Sequence, residues 1–433
     1  MNIAAVKGMR DLLPADTLWF QRLEAAARAV FALYGLEEIR TPVVESAELF
    51  RRSVGEDTDI VGKEMYTFAD KDDAQLTLRP EATASTVRAY VEHRLWERPG
   101  LTRLYYLGPM FRRERPQKGR YRQFYQIGAE ILGGDAPWID FELLAMLQLL
   151  LERCGIQGAE LVLNSVGCAH DRPLYHAALR AALEDKLPQM CADCQRRAQT
   201  NPLRVLDCKV PADQPIIAAL PTIHEFLDPA CRDHFAQLLS LLDANGIAYR
   251  LDPRLVRGLD YYTSTAFEFL HGSLGAQNAL LGGGRYDGLA QALGAPASAA
   301  GGIGFALGED RFVLAMQAAA SPPAAGWPGG PPPLAAVVIP LTSAELLPAL
   351  QLAERLRRQD QRIELAPPDR KLGKSLELAS KLGAPAALIL GPDEVARGQV
   401  QLKWLASGEQ AAVPQPELAA KLAPGPAAQG AQP

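Results

Sequence analysis

The sequence predicts an α+β protein with a small α/β domain at its C-terminal end, and three observations point there. Residues 15–34 place apolar side chains at helical spacing (Leu18, Phe20, Leu23, Ala27, Val30, Phe31 and Tyr34) and stop at Gly35. Residues 104–107 and 122–127 are β-rich arms on either side of a turn from Pro116 to Gly119, which reads as an antiparallel hairpin. After a proline- and glycine-rich break at residues 321–333, strand-like and helix-like segments alternate.

In chain order, the first helix leads to strands near residues 67–68 and 75–78, a helix near 81–97, the hairpin, and an apolar helix over 141–154 closed by Gly155. That order suggests antiparallel strands with helices packed on one side. Residues 170–240 combine helical periodicity, proline-punctuated turns and a group of cysteines, and read as a helical insertion. Strands return at 266–270, 279–281 and 301–307 and end in a helix starting near Gly308. Past the break, strands at 336–339, 362–365 and 386–390 alternate with helices at 343–358 and 373–382, the pattern of a small parallel sheet. The expected division is a first domain over 1–320, a linker over 321–334, an α/β domain over 335–423 and a disordered tail over 424–433.

A chain of 433 residues with 48% hydrophobic and 22% charged residues is ordinary globular composition with room for two or three domains. No apolar run approaches the ~20 residues needed to span a bilayer, and the N-terminus lacks a basic stretch leading into an apolar core. A soluble, cytoplasmic protein with no membrane partner is expected. Six cysteines in a chain this large are not a disulfide scaffold, so reduced thiols are expected. Cys191-Ala192-Asp193-Cys194, with Cys208 and Cys231 downstream, could make a four-thiolate zinc site. No second C-x-x-C completes it, and no metal is assigned to these residues.

The net charge of −5 gives no support to polyanion binding by the whole surface. From Arg112 to Arg122, however, six Arg or Lys stand against one Glu, so a local excess of positive charge awaits an anion. Alternation along a strand would put Arg112 and Glu114 on one face and Arg113 on the other. A lone charge run usually means general attraction for nucleic acid. Here the arginines are interleaved with aromatics, Pro116 and Gly119, as a shaped site requires.

Leu255-Val256-Arg257-Gly258-Leu259-Asp260-Tyr261-Tyr262-Thr263 is the second informative run. Arg257 beside Gly258 sets a guanidinium next to backbone that a ligand can approach closely. The same residues fit a buried Arg257–Asp260 pair with two core tyrosines. Gly282-Gly283-Gly284-Arg285-Tyr286-Asp287 matches neither a G-x-x-x-x-G-K-[ST] loop nor a strand–helix nucleotide fingerprint, and reads as a tight bend.

The run from Phe111 to Gln126 resembles the second signature motif of the class II aminoacyl-tRNA synthetases, and residues 255–263 are similar to the histidine-specific motif of the histidyl-tRNA synthetases. Leu78-Arg79-Pro80-Glu81-Ala82-Thr83-Ala84 looks like that family's amino-acid-binding loop. Residues 302–311 look like the third class II motif, and residues 34–45 like the first, which builds the family's dimer interface. With Lys7-Gly8-Met9-Arg10-Asp11 at the start and an α/β domain similar to the family's anticodon-binding domain, the resemblance covers about residues 5–415.

The resemblance implies a class II antiparallel sheet flanked by helices and the activity of a histidine–tRNA ligase. L-Histidine would be activated with ATP to histidyl-adenylate and transferred to the 3′ end of tRNA(His), with Mg2+ beside the ATP and a homodimer as the assembly. Such chemistry needs no protein nucleophile; it needs two anions held together and charge stabilised on the transferring phosphate. By motif, Arg112 clamps the substrate carboxylate and α-phosphate, a task for a planar fork. Arg257 takes the other side of the α-phosphate as the main transition-state stabiliser, Arg311 takes the γ-phosphate, and Glu114 lies near the adenine or its metal. Glu81, Thr83 and Gln126 match the residues that hold the ammonium group. Glu130 and Tyr262 match the pair that grips the two ring nitrogens, with Tyr261 beside them in the histidine site. Standing alone, Arg311 would fit a surface helix arginine and Glu130 a strand-end surface acid.

Two departures stand out. Ala82 replaces the Gly usual in bacterial members, where a methyl could tighten the loop, and the third motif ends Gly308-Glu309-Asp310-Arg311 where Leu-Glu-Arg is common. The rival reading is the non-catalytic regulatory paralogue of ATP phosphoribosyltransferase in histidine biosynthesis, which usually lacks the C-terminal domain and parts of the motifs. Arg112, Arg257, Arg311 and the final domain are all present here, which favours the enzyme.

Overall fold

Residues 3–319, except 56, 57, 118, 258, 260, 276 and 277, and residues 330–422 are described by a computed structural model. Most of the proline-rich break, the whole tail, and Lys118, Gly258 and Asp260 of the two motifs lie outside the described residues. The chain divides into two units, Met1–Pro322 and Pro323–Pro433.

In the first unit, α1 (Pro14–Leu33) opens on a proline, whose missing N–H has no helical partner to lose, and buries the stripe Trp19, Phe20, Leu23, Ala27, Val30 and Phe31. Short strands β1 (Glu37–Glu38) and β2 (Val44–Ser46) flank Pro42, and α2 (Ala47–Val54) follows under a Ser46 cap. β3 (Tyr66–Ala69) and β4 (Gln75–Leu78) join β2 in an antiparallel sheet of order β2-β4-β3. The next helix, α3 (Thr83–Glu92), starts later than the sequence suggests. Glu81 precedes it and caps it, its carboxylate accepting from the amides of Thr83 (2.7 Å) and Ala84 (3.0 Å).

The hairpin arms are longer than the sequence indicates. β5 (Thr102–Phe111) and β6 (Gln123–Leu132) pair without interruption from Thr102 opposite Leu132 to Phe111 opposite Gln123. α4 (Pro137–Arg153) and β7 (Glu160–Ser165) lead into the helical segment, with α5 (Asp171–Leu183), α6 (Ala192–Thr200), α7 (Gln214–Ala218) and α8 (Pro229–Ala244). The segment from α5 to α7 closes around its own core of Tyr175, Leu179, Leu183, Val205 and Ile217. α8 instead sends Phe235, Leu238 and Leu242 into the main core. The four cysteines singled out above do not converge: Cys191, Cys194 and Cys208 gather with Asp213, while Cys231 lies with Cys168, Asp171 and Asp228.

β8 (Tyr249–Leu251), β9 (Thr263–Leu270), β10 (Ala279–Arg285), α9 (Leu289–Ala292), β11 (Gly302–Gly308) and α10 (Glu309–Ala319) complete the unit. The main sheet has the order β1-β5-β6-β11-β10-β9-β7-β8. The outer pairs β1–β5 and β7–β8 are parallel and the rest antiparallel. Along β6, Ile127, Ala129 and Ile131 join the core formed with α1, α4 and α10, so the alternate residues Gln126, Gly128 and Glu130 point to the opposite face. The Gly282–Gly284 run is not a bend. It lies inside β10, none of the three glycines has a positive φ, and they are there because neighbours leave no room for a side chain. At the end of that strand, wholly buried Arg285 pairs with Asp140 of α4 and with Asp287 (3.1 Å). Asp140 also accepts from Thr265 (2.6 Å) and meets His234 of α8 at 2.9 Å, so one polar hub ties two helices to two strands.

The second unit runs β12 (Leu334–Pro340), α11 (Leu346–Arg357), β13 (Arg362–Leu365), α12 (Leu372–Lys381), β14 (Ala386–Leu390), α13 (Pro392–Arg397), β15 (Gln399–Trp404), β16 (Gln410–Pro414) and α14 (Leu418–Leu422). Its sheet, of order β13-β12-β14-β15-β16, is mixed rather than parallel. β12 pairs in parallel with β13 and β14, but β15 and β16 add an antiparallel hairpin that the sequence reading missed. No helix among the described residues is long and apolar enough to cross a membrane.

Candidate active site

The site lies on the face of the main sheet opposite α1, α4 and α10, and its floor is made of missing side chains. Register sets Gly128 beside Ala306, Gly304 beside Gly284, and Gly282 beside Ala306 across three neighbouring strands. Over this floor lean the larger residues of the same face: Tyr106 of β5, Gln126 and Glu130 of β6, and Glu268 of β9. A Cβ at Gly128 would run into the Tyr106 phenol, and one at Gly304 into the Glu130 carboxylate and the Ala129 carbonyl.

A cavity of about 360 Å³ opens over one end of the floor. Four arginines line it, Arg112, Arg120, Arg257 and Arg311, against the three carboxylates Glu114, Glu268 and Asp310. Arg112 is aimed by its Nε, which donates to the Pro80 carbonyl at 2.8 Å, and by Phe124, whose ring centre lies 5.4 Å from the guanidinium. Glu114 joins Arg120 at 3.2 Å and lies 4.0 Å from Arg112. Arg113 turns away, its amide donating to Glu64 (2.7 Å) and its guanidinium set 5.9 Å from the Tyr66 ring. The alternation expected of these three residues is therefore observed.

Among the described residues Arg257 pairs with Glu268, and it stands 5.6 Å from the Tyr262 ring; the Arg257–Asp260 pair considered above lies outside the described residues. Burial works against its charge, but Tyr262 and Glu268 hold the guanidinium firmly protonated, above its ordinary range. Its buried Nε has no hydrogen-bond partner among the described residues, so a donor remains for a ligand. Arg311 donates to the Ala279 carbonyl (3.4 Å), and its stem passes so close to Gly119 that a Cβ there would come within 3.2 Å of Arg311 Cγ. The departure at Asp310 has a local partner: its carboxylate accepts from Arg10 at 2.7 Å, while the Gly8 carbonyl takes the Arg122 amide at 2.7 Å. The N-terminal segment is thereby fastened to the arginine-rich loop.

Beside the cavity is a nest of acids and phenols. Glu130 is fully buried; it accepts from the Thr83 hydroxyl (2.7 Å), from Tyr106 (3.3 Å) and, very closely, from Tyr286. Burial pushes its carboxyl up to about 8 against the pull of these donors. Glu81 is likewise raised by burial, and the Ala84 and Thr83 amides and nearby Arg112 restrain the shift. Tyr261 and Tyr262 pack at 4.7 Å between ring centres, and Tyr261 meets Tyr286 edge-on at 5.7 Å. The buried carbonyl oxygen of the Gln126 side chain has no hydrogen-bond partner among the described residues. Ala82 fits without strain, at φ −118°, and its methyl packs against Tyr106 and Met110.

The fold therefore gathers Arg112, Glu114, Arg257 and Arg311 around one cavity, and links Glu81, Thr83 and Glu130 through hydrogen bonds. The phenols bonded to Glu130 are Tyr106 and Tyr286. Sequence reasoning missed both, along with Arg120 and Glu268. Arg120 stood inside the basic run; the other three depend on register between distant strands.

Gly282→Ala tests the floor. Its Cβ would lie 2.9 Å from the guanidinium carbon of Arg257, the far end of a flexible side chain that can yield. The expected result is an unfolding midpoint close to that of the parent with about a tenfold lower rate of the reaction that uses Arg257, since displacement of a positioned group is costly. Parental turnover in this variant would show that Arg257 need not occupy the position seen.

A family model described as histidyl-tRNA synthetase matches residues 8–311, and one described as anticodon binding domain matches residues 335–423. The chain is 54% identical to the histidine–tRNA ligase of Koribacter versatilis, over 96% of this chain and 95% of that one. It is 53% identical to that of Solibacter usitatus, over 97% and 99%. Among solved structures, apo histidyl-tRNA synthetase of S. aureus superposes with a TM-score of 0.80 at 34% identity, covering 97% of this chain and 100% of the other.

Proposed function

The chain belongs to the histidyl-tRNA synthetase family, and from that premise we propose that it activates L-histidine with ATP and transfers the histidyl group to the 3′ end of tRNA(His). The observation that carries the reading is the adjacency of two unlike sites: an arginine-lined cavity suited to a nucleoside triphosphate, and a buried nest of Glu81, Thr83, Glu130 and tyrosines suited to a small cation with a ring. Arg112 belongs to the cavity and is anchored to Pro80, one residue from Glu81, so it stands where a carboxylate and an α-phosphate would meet.

In this reading Arg112 holds both anions, and Arg257 approaches the transferring phosphate from across the cavity. Arg311 meets the distal phosphates, with Arg120 beside it. Glu81 and the Gln126 oxygen, which has no partner among the described residues, take the ammonium, while Glu130 and Tyr262 read the ring and Tyr261 packs behind. Glu114 and Glu268 offer hard oxygen donors, a set that fits Mg2+, which binds through one or two carboxylates plus substrate phosphates. Bound there, the ion would supply further positive charge beside the phosphates. Residues 335–423 would contact the anticodon region of the tRNA, and the working form would be a cytoplasmic homodimer.

Pyrophosphate exchange into ATP, run with each of the twenty amino acids, tests the activity. Exchange with histidine alone is expected. A folded protein that binds histidine but exchanges with no amino acid would move the reading to the non-catalytic paralogue.

A further inference from the structure

We propose that Cys191, Cys194, Cys208 and Asp213 form a structural zinc site in the helical segment of the first unit, with Cys231 outside it. Cys191 is the N-cap of α6 and Cys194 lies in its first turn, so the pair presents two thiols from one helix end. Cys208 follows a single turn of 3-10 helix at Pro202–Val205, and Asp213 ends another at Pro211–Asp213. All four donor atoms lie within 4.8 Å of one another.

The separations match a tetrahedron. Zinc bonds of about 2.3 Å to sulfur and about 2.1 Å to oxygen require edges of roughly 3.8 Å between sulfurs and roughly 3.6 Å between sulfur and oxygen. The Cys191 and Cys208 sulfurs are 3.9 Å apart, and Cys208 Sγ lies 3.3 Å from Asp213 Oδ2. None of the cysteines is in a disulfide. Backbone donors already surround the ligands as they do at metal centres: the Val210 amide points at Cys208 Sγ (3.4 Å), and the Cys191 amide at both Asp213 oxygens (3.2 and 3.3 Å). Asp213 is buried at 1% exposure, yet no arginine or lysine among the described residues pairs with it. A buried carboxylate without a cation is costly, and a metal would supply one. Half-buried Cys191 leaves a way in.

The neighbouring group of Cys168, Asp171, Asp228 and Cys231 is equally compact but otherwise employed. Asp171 accepts from the amides of Cys168 (3.0 Å) and Asp228 (2.9 Å), and Asp228 caps α8 through the Cys231 amide (2.7 Å). Backbone geometry accounts for both carboxylates there.

Four protein ligands leave no open position, so the metal would fasten rather than catalyse. What it fastens reaches the active site. Arg197 of α6 and Arg204 of the turn after it approach Asp59 at 3.9 and 3.7 Å, and the next residue, Ile60, lines the arginine-lined cavity.

The test uses the full chain purified without chelator under reducing conditions. Elemental analysis is expected to find one zinc per chain. After zinc removal, Co2+ should bind at one equivalent with the thiolate charge-transfer absorption of a tetrahedral sulfur site. Cys194→Ser and Asp213→Asn should weaken cobalt binding at least tenfold, and Cys231→Ser should bind as the parent does. Absence of both zinc and the cobalt signal in the parent overturns the proposal, as does loss of binding in Cys231→Ser. If Cys194→Ser fails to fold, the parent stoichiometry and Cys231→Ser decide the matter.

Discussion

Arg257→Ala is expected to slow histidyl-adenylate formation by about two orders of magnitude, or roughly 3 kcal/mol, the scale on which a single preorganised donor to a developing anion acts. The unfolding transition should barely move. Arg257 is 20% exposed and Glu268 23%, so water can reach the carboxylate left behind and no sealed charge is created. The size of the effect follows from how the side chain is held. Glu268 and the Tyr262 ring fix the guanidinium at the cavity wall before any substrate arrives, which leaves little reorganisation for the reaction step. Arg257→Lys should fall between parent and alanine, because the point charge survives while the planar fork is lost. Single-turnover adenylate formation is the measurement to make, alongside histidine-dependent exchange. Near-parental rates in Arg257→Ala would remove this residue from the phosphate and leave Arg112 as the principal charge there.

What could be read in the sequence was what local chemistry determines. The hairpin of β5 and β6 was legible because its arms are β-branched and aromatic, and its turn carries Pro116 and Gly119. Strands β13 and β14 were placed to the residue, since the first alternates Ile363 and Leu365 with charged neighbours, the second is a short apolar run, and both lie between clear helices. β15 also carried its signal, Val400 and Leu402 buried between polar neighbours, and the reading passed over it. The glycine run misled for a physical reason. Glycine permits a bend, but it equally permits close packing, and only the positions of Arg257, Phe267 and the Thr265 carbonyl reveal which is needed. The arginines were legible because they crowd one loop or stand in recognisable motifs. Tyr106, Tyr286 and Glu268 were not, because their roles arise when β5, β9 and β10 are brought into register from positions far apart in the chain. The fourth ligand beside the cysteines was hidden likewise, Asp213 being a common residue in an unremarkable turn.

Glu130→Gln is expected to raise the KM for histidine about a hundredfold while leaving the KM for ATP within a few fold, the consequence of removing a charge-assisted partner from a buried ring site. The pH dependence separates this role from a structural one. With its carboxyl near 8, Glu130 holds a proton in the empty site at pH 7, faced by the hydroxyls of Thr83, Tyr106 and Tyr286 and by the nearby Glu81 carboxyl. A histidine with a neutral ring can therefore meet a protonated carboxyl, and the pair keeps that proton whether it rests on oxygen or nitrogen. Affinity should decline above about pH 8, when the empty site has lost the proton, and below about 6.5, when the free ring has gained its own. The folded-state value is raised above that of the unfolded chain, so the unfolded chain releases the proton first. Stability should therefore fall from about pH 5 to about pH 8 and then level off. Glu130→Gln should abolish the alkaline limb of histidine affinity and flatten this decline together, as shown by calorimetric titration and by urea midpoints at pH 5.5 and 8.5. A variant that loses histidine affinity equally at every pH would assign Glu130 to the packing of Tyr106 and Tyr286 alone. The alkaline limb must disappear if the carboxyl itself reads the ring.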